Sequence, residues 1–293
     1  MRIGIVGIGN MGLATALRLR ERDHTVEVRD IDSAREKLAA QAGCHVAADP
    51  ADMASRCELV LVVVVDGDQS RDVVLGRGGL ATAMRQGGTV MLCPTIGPTD
   101  TEVLAQGLAA AGVDWIDAPM SGGPVRARAG TMSLMVACDD RVFERWHGVL
   151  EDMAAPVFRV GSRAGDGART KLVNNLLAAI NLAGASEALA LAERMGLDPA
   201  TTLSVIEQSS GQSWIGSDRM RRALSGQRAV QAHVGLLAKD STLAMRCADG
   251  AGLSLTVGRA AMQGFADAAA AGLAREDDSA LWQWICAGRP PPT

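Results

Sequence analysis

The stretch Ile3-Gly4-Ile5-Val6-Gly7-Ile8-Gly9-Asn10-Met11-Gly12 decides the fold. Its first half is a short β-like run, and its second half is a GxGxxG turn that opens straight into a helical pattern through Ala14, Leu17 and Leu19. In such a turn the first glycine permits the tight bend, the second lets backbone approach a pyrophosphate and the third allows close helix packing. The helix N-terminus then offers free N–H groups to the phosphates. A second run, Thr25-Val26-Glu27-Val28, leads to Arg29-Asp30, and Asp30 lies 18 residues after Gly12. That spacing is close to the ~20 residues expected of an acid that binds a ribose hydroxyl. Gly7, Ile8, Gly9, Asn10, Met11, Gly12 and Asp30 are therefore the candidate cofactor-binding residues. Asp30 repels a 2′-phosphate and accepts from a free 2′-OH, which favours NAD; NADP stays possible because the adjacent Arg29 can turn toward a phosphate.

Further strand candidates follow at Leu59–Val65, Thr89–Cys93, Val113–Ile116, Ser133–Cys138 and Val157–Val160, most of them separated by helical patterns. The run from Leu59 to Val65 has no polar alternation, as expected of a central parallel strand covered on both faces. After about Gly161 the pattern changes to helices only: Gly165–Met195, Pro199–Gln208, Trp214–Leu224, His233–Ala251, Ser254–Ala271 and Ser279–Cys286. The fold class is an α/β N-terminal Rossmann domain, doubly wound on a mostly parallel sheet, over 1–162, followed by an all-α domain over 163–293 that begins with one long helix. The tail from Gly288 to Thr293 is expected to fray.

Composition narrows the chemistry. With 48% apolar and 21% charged residues and a net charge of -4, the chain has no electrostatic footprint for nucleic acid. It has no tyrosine, which excludes a tyrosine hydroxyl as general acid. The four histidines stand alone in their segments, so no metal site is expected. Six cysteines without a CxxC point to reduced, mostly buried thiols in a reducing compartment, and the absence of a signal-like or ~18-residue uninterrupted apolar run leads us to expect a cytoplasmic protein with no membrane contact.

Two more segments bear chemistry. Asp117-Ala118-Pro119-Met120-Ser121-Gly122-Gly123-Pro124 follows a strand, and its Ser-Gly-Gly exposes a hydroxyl and several N–H groups where open α/β sheets place ligands. This suits a carboxylate or alcohol oxygen, although a plain turn reads the same way. At the start of the long helix, Lys171 and Asn175 share one face, with small neighbours at Ala168, Ala178 and Ala179. Desolvation makes a lysine usable as an acid/base near neutral pH, while a solvated lysine beside a capping asparagine is the bland alternative. Arg126 and Arg128 are expected to be solvated, Glu276-Asp277-Asp278 to supply cap and first-turn charges, and Trp282 and Trp284 to pack or contact a second subunit.

Taken in order, Ile5 to Gly12, Asp117 to Gly123 with Gly130-Thr131, Gly167-x-x-x-Lys171-x-x-Asn174-Asn175, and Lys239-Asp240 resemble the β-hydroxyacid dehydrogenase family, which contains 3-hydroxyisobutyrate dehydrogenase, tartronate semialdehyde reductase and the more distant 6-phosphogluconate dehydrogenase. Gly211-Gln212-Ser213-Trp214 and Arg275 to Ala280 are similar to its L-threonate dehydrogenase branch, which usually has His-Gln where this chain has Asn174-Asn175. The resemblance implies an NAD(P)-dependent oxidoreductase that oxidises a small 3-hydroxy acid, or reduces the corresponding semialdehyde, with Lys171 as general acid/base. It also implies that Ser121, Gly122, Gly123, Asn175 and Lys239 bind substrate, that Val65, Thr95 and Lys239 join the cofactor set, and that Asp240 ties helices or domains. Trp214 reads as lining the substrate pocket, with a Trp buried in its helix as the alternative. Pro94 stands where the family commonly has Ser. A homodimer or homotetramer is implied. Two other readings remain: an imine reductase, which typically replaces the lysine, and a non-catalytic cofactor-binding relative.

Overall fold

Residues that alternate between two faces build the sheet. Its strands are β1 (Arg2–Val6), β2 (Thr25–Arg29), β3 (His45–Val46), β4 (Leu59–Val62), β5 (Thr89–Leu92), β6 (Asp114–Asp117), β7 (Met120–Ser121), β8 (Ser133–Ala137) and β9 (Val157–Gly161) in a computed structural model that describes residues 1–227 and 229–288. Ile3, Ile5, Leu59, Leu61 and Met91 feed one apolar core, and Val6, Val60, Val62, Val90 and Leu92 feed the other. Helices cover both faces: Ala16, Leu19, Val142, Trp146 and Leu150 pack into the first core, and Met53, Val74, Leu104 and Leu108 into the second. The uninterrupted apolar run at Leu59 is thus explained, because neither side of the strand meets water. Trp146 is fully buried and donates its indole N–H to Thr89 Oγ1 at 2.9 Å, so its polar atom is satisfied inside the core.

The strand order is β3-β2-β1-β4-β5-β6, all parallel, with β8 antiparallel to β6 and β7, and β9 parallel to β8. This is the doubly wound order, whose reversal lies between β1 and β4. Two expectations change. β4 ends at Val62 instead of Val65, because the chain turns away at the carboxyl edge, where Val65 donates its N–H to Gln69 Oε1 at 3.1 Å. The two-residue strands β3 and β7 escape sequence reading because they are too short to show a period.

The chain forms two compact units, one from Met1 to Lys171 and one starting at Leu172. Helix Asp166–Arg194 runs through that boundary. By length and composition it is apolar enough to cross a membrane, yet its Ala179, Leu182 and Leu189 are buried in the core of the second unit with Leu203, Met220, Leu237, Phe265 and Trp284. Helices Pro199–Glu207, Trp214–Leu224, Val234–Gly250, Thr256–Ala268 and Ala280–Cys286 complete the unit; among the described residues its only β feature is an isolated bridge between His233 and Asp277. Of the expected frayed tail, Arg289 to Thr293 lie outside the described residues.

The acidic run before the last helix is not a solvated cap. Asp277 and Asp278 are buried against two arginines one turn apart on helix Trp214–Leu224: Arg219 Nε donates to Asp278 Oδ1 at 2.7 Å, and Arg222 Nη1 lies 3.0 Å from Asp277 Oδ1. Burial pushes the Asp278 carboxyl up to about 6 despite Arg219. Burial also disfavours the Asp277 charge, but hydrogen bonds from Ser279 and Arg222 hold its carboxyl at about 2. Asp218 Oδ2 also accepts from Arg219 Nη1 at 2.5 Å, so removing Asp278 leaves Arg219 with a carboxylate but its Nε without a buried acceptor. Asp278→Ala is therefore expected to destabilise the protein by about 1–3 kcal/mol, read from the midpoint of urea unfolding; an unchanged midpoint would mean that the network behaves as a surface one.

Candidate active site

The turn after β1 is shaped by close backbone approach. Gly7 has φ +89°, and a Cβ there would lie 2.5 Å from the Val63 carbonyl oxygen, so only glycine fits. A Cβ at Gly12 would collide with the Gly7 carbonyl, which is why the helix can start so near the strand. At Gly9 a Cβ would meet nothing within 4 Å. That open space faces the start of helix Asn10–Glu21, whose N-terminus has no side-chain cap. An open glycine turn at an uncapped helix N-terminus fits a dinucleotide pyrophosphate.

Asp30 is folded back over the same turn. Its Oδ2 accepts from Ile8 N–H at 2.6 Å and its Oδ1 from Asp32 N–H at 2.9 Å. Arg29 does not turn outward as the sequence allows. Its Nη1 lies 2.5 Å from Glu36 Oε1, and the same oxygen accepts from Asp30 N–H at 3.1 Å. Glu36 was not legible as a site residue, since it sits in an ordinary helical pattern. Asn10 Oδ1 accepts from Arg35 Nη2 at 3.3 Å.

Val65, Thr95 and Ser121 all lie at or just beyond the carboxyl ends of β4, β5 and β6, on the edge that carries the glycine turn. Val65 is half exposed, Thr95 and Ser121 are partly buried, and Pro94 is buried. Gly122 has φ +130° and Gly123 φ +73°, so Ser121-Gly122-Gly123 bends as residues with a Cβ rarely do before helix Gly123–Ala129 begins. Arg126 and Arg128 lie at the surface as expected, where Arg126 Nε donates to Thr131 O at 2.8 Å and Arg128 pairs with Glu21.

Asp117, the last residue of β6, is the feature that sequence reading undervalued. Its side chain is buried, and its Oδ2 accepts three N–H groups, from Gly165 at 3.0 Å, Gly167 at 2.9 Å and Ala168 at 3.2 Å. Burial pushes its carboxyl up to about 6, opposed by those three donors. Lys171 follows on the same helix and is 7% exposed, which sets it apart from the solvated lysine of the bland reading.

In the second unit, Asn175 is buried and donates from Nδ2 to Asp240 Oδ2 at 2.7 Å, while Lys239 Nζ lies 2.7 Å from Asp240 Oδ1. Asp240 thus ties two helices and holds both Asn175 and Lys239. Trp214 is 53% exposed at the start of its helix, with the Arg219 guanidinium 5.9 Å from its ring centroid. Among the described residues no His, Cys, Asp and Glu cluster could hold a metal ion.

Known proteins share the sequence pattern and the fold. The family model described as the NAD binding domain of 6-phosphogluconate dehydrogenase matches residues 2–161, and that described as NAD-binding of NADP-dependent 3-hydroxyisobutyrate dehydrogenase matches residues 165–285. The L-threonate dehydrogenase of Cupriavidus necator is 36% identical over 279 residues, 95% of this chain and 94% of its own. A solved 3-hydroxyisobutyrate dehydrogenase from Salmonella typhimurium superimposes with a TM-score of 0.90 at 30% identity, covering 97% of this chain and 99% of its own. A Streptomyces aurantiacus imine reductase shares the fold alone, at 20% identity and a TM-score of 0.67 over 97% of this chain and 99% of its own. The protein is a nicotinamide-dependent oxidoreductase by fold and sequence. The chain belongs to the β-hydroxyacid dehydrogenase family.

Since Gly12 has no room for a methyl group, Gly12→Ala must push the Gly7 carbonyl aside and reshape the turn. NADH titration by fluorescence is expected to show affinity lower by about tenfold or more, equivalent to about 1.4 kcal/mol; unchanged affinity would place the dinucleotide elsewhere.

Proposed function

We propose that this protein oxidises a small 3-hydroxy acid, or reduces the matching semialdehyde, with NAD as the preferred cofactor and Lys171 as general acid/base. The observation that supports it most is the buried Lys171, in the first turns of a helix whose N-terminus is bound to the end of β6, on a chain with an open glycine turn after β1. Gly7 to Gly12, Asp30, Val65 and Thr95 hold the dinucleotide, which, when bound, supplies the hydride acceptor. The backbone N–H groups of the Ser121-Gly122-Gly123 loop and the Ser121 hydroxyl take the substrate carboxylate. Lys171 Nζ accepts the proton of the substrate hydroxyl, work that a positioned base performs for about 10²–10⁴-fold in rate. Asn175, held by Asp240, and Lys239 orient the same substrate, and Trp214 lines its side-chain end.

The NAD preference is supported by Asp30, whose carboxylate a 2′-phosphate would meet, and by Glu36, which occupies the guanidinium that would otherwise serve that phosphate. A homo-oligomer is supported by Val173, Leu177 and Leu191, three apolar residues of the long helix that are more than half exposed. A cytoplasmic, reducing setting is supported by the buried thiols of Cys44, Cys57, Cys93 and Cys138. Nothing favours the imine reductase reading, since the likeness there is of fold alone, and the retained Lys171 and Ser121 weigh against a non-catalytic relative.

The test is the appearance of reduced nicotinamide with a panel of 3-hydroxy acids, L-threonate first, then of cyclic imines in the opposite direction. Lys171→Ala is expected to lower kcat by about 10²–10⁴-fold with NADH affinity unchanged; retained turnover, or silence of the native enzyme on every hydroxy acid with either cofactor, would overturn the assignment. The native enzyme is expected to have the higher kcat/KM with NAD, and Asp30→Ala to narrow that preference. An enzyme that prefers NADP from the start would contradict the role given to Asp30.

A further inference from the structure

Asp117 is the last residue of β6, and the Ser121-Gly122-Gly123 loop departs from the same strand end. Its Oδ2 alone receives the N–H groups of Gly165, Gly167 and Ala168 from a segment 48 to 51 residues away in sequence. Lys171 stands three residues beyond Ala168, on the next turn of the helix. The seat is built for this contact. A Cβ at Gly167 would lie 2.7 Å from Asp117 Oδ1 and 2.8 Å from the Met135 carbonyl oxygen, and Gly167 is not in the left-handed region, so its glycine answers to proximity and not to backbone angle. The carboxylate is 2% exposed, so water does not compete for the three donors.

We propose that Asp117 is the positioning residue of this active site: one buried oxygen fixes the helix turn that carries Lys171 to the strand end that presents Ser121-Gly122-Gly123. The base and the groups that take the substrate carboxylate thereby keep one register. Asp117 touches no substrate; it acts through the backbone of Gly165 to Ala168. The proposal rests on the reading of Lys171 as acid/base given above.

The experiment compares Asp117→Ala, which removes the acceptor, with Asp117→Asn, which keeps one oxygen for the amides. In Asp117→Ala the amides of Gly167 and Ala168 are expected to exchange with deuterium at least about tenfold faster, while those of β1 keep their native rates. Its kcat is expected to fall by about 10²-fold, the order seen for small misplacement of a catalytic group, with NADH affinity unchanged, and Asp117→Asn is expected to recover most of that loss. If Asp117→Ala does not fold, Gly167→Ala, which pushes the carboxylate off its seat, is read in its place against Asp117→Asn. Native exchange rates at Gly167 and Ala168 would overturn the proposal. So would unaltered kcat, or a loss of NADH affinity in step with a loss of thermal stability. The exchange measurement does not depend on turnover, so retained activity in Lys171→Ala would sink the lysine reading while the clamp is judged on its own amides.

Discussion

Everything in the first unit follows from the pairing of β1 with β2 on one side and β4 on the other, both in parallel. Parallel neighbours need long crossovers, and the crossovers place helices over both faces. A strand enclosed in this way has no face to offer a polar ligand. What remains is its carboxyl end, and at β1 the sheet order reverses there, so the two crossovers diverge and leave a crevice. Gly7 and Gly12 allow that crevice to be narrow, because the turn passes close to the Val63 carbonyl and the helix starts close to the turn. The polar chemistry of Asp30, Thr95, Ser121 and Asp117 collects along one edge for the same reason.

Much of this was legible in the sequence because it depends on near neighbours. The glycine turn, the continuous apolar run at Leu59 and the helix bounds in the second unit each show a period or a punctuation within a few residues. The run to Val65 misled only at its end: apolar residues that leave the sheet look the same as those that stay in it. His45-Val46 and Met120-Ser121 are too short for any period to appear.

The parts that were not legible are contacts between residues far apart in the chain. Asp117 reads as the first letter of a loop motif, and nothing near it reveals three amide donors from Gly165 to Ala168. Glu36 is only seven residues from Arg29, yet it looks like any surface glutamate because the strand-to-helix turn that brings the two together has no signature of its own. Asp277 and Asp278 read as helix caps because their partners, Arg222 and Arg219, lie more than fifty residues earlier. Charge without context is ambiguous between solvent and burial, and only the fold decides which applies.

The lack of tyrosine and the placement of Trp146 give the molecule an optical property of its own. Its near-ultraviolet emission comes from five tryptophans, two in the first unit, Trp115 and Trp146, and three in the second, Trp214, Trp282 and Trp284. Trp146, sealed in the core and bonded to Thr89, reports an apolar surrounding, whereas Trp214 lies half in water beside a guanidinium. Trp115 and Trp282 are partly buried and Trp284 is buried, so each unit holds sealed indoles, and loosening of either one shifts the emission to longer wavelength.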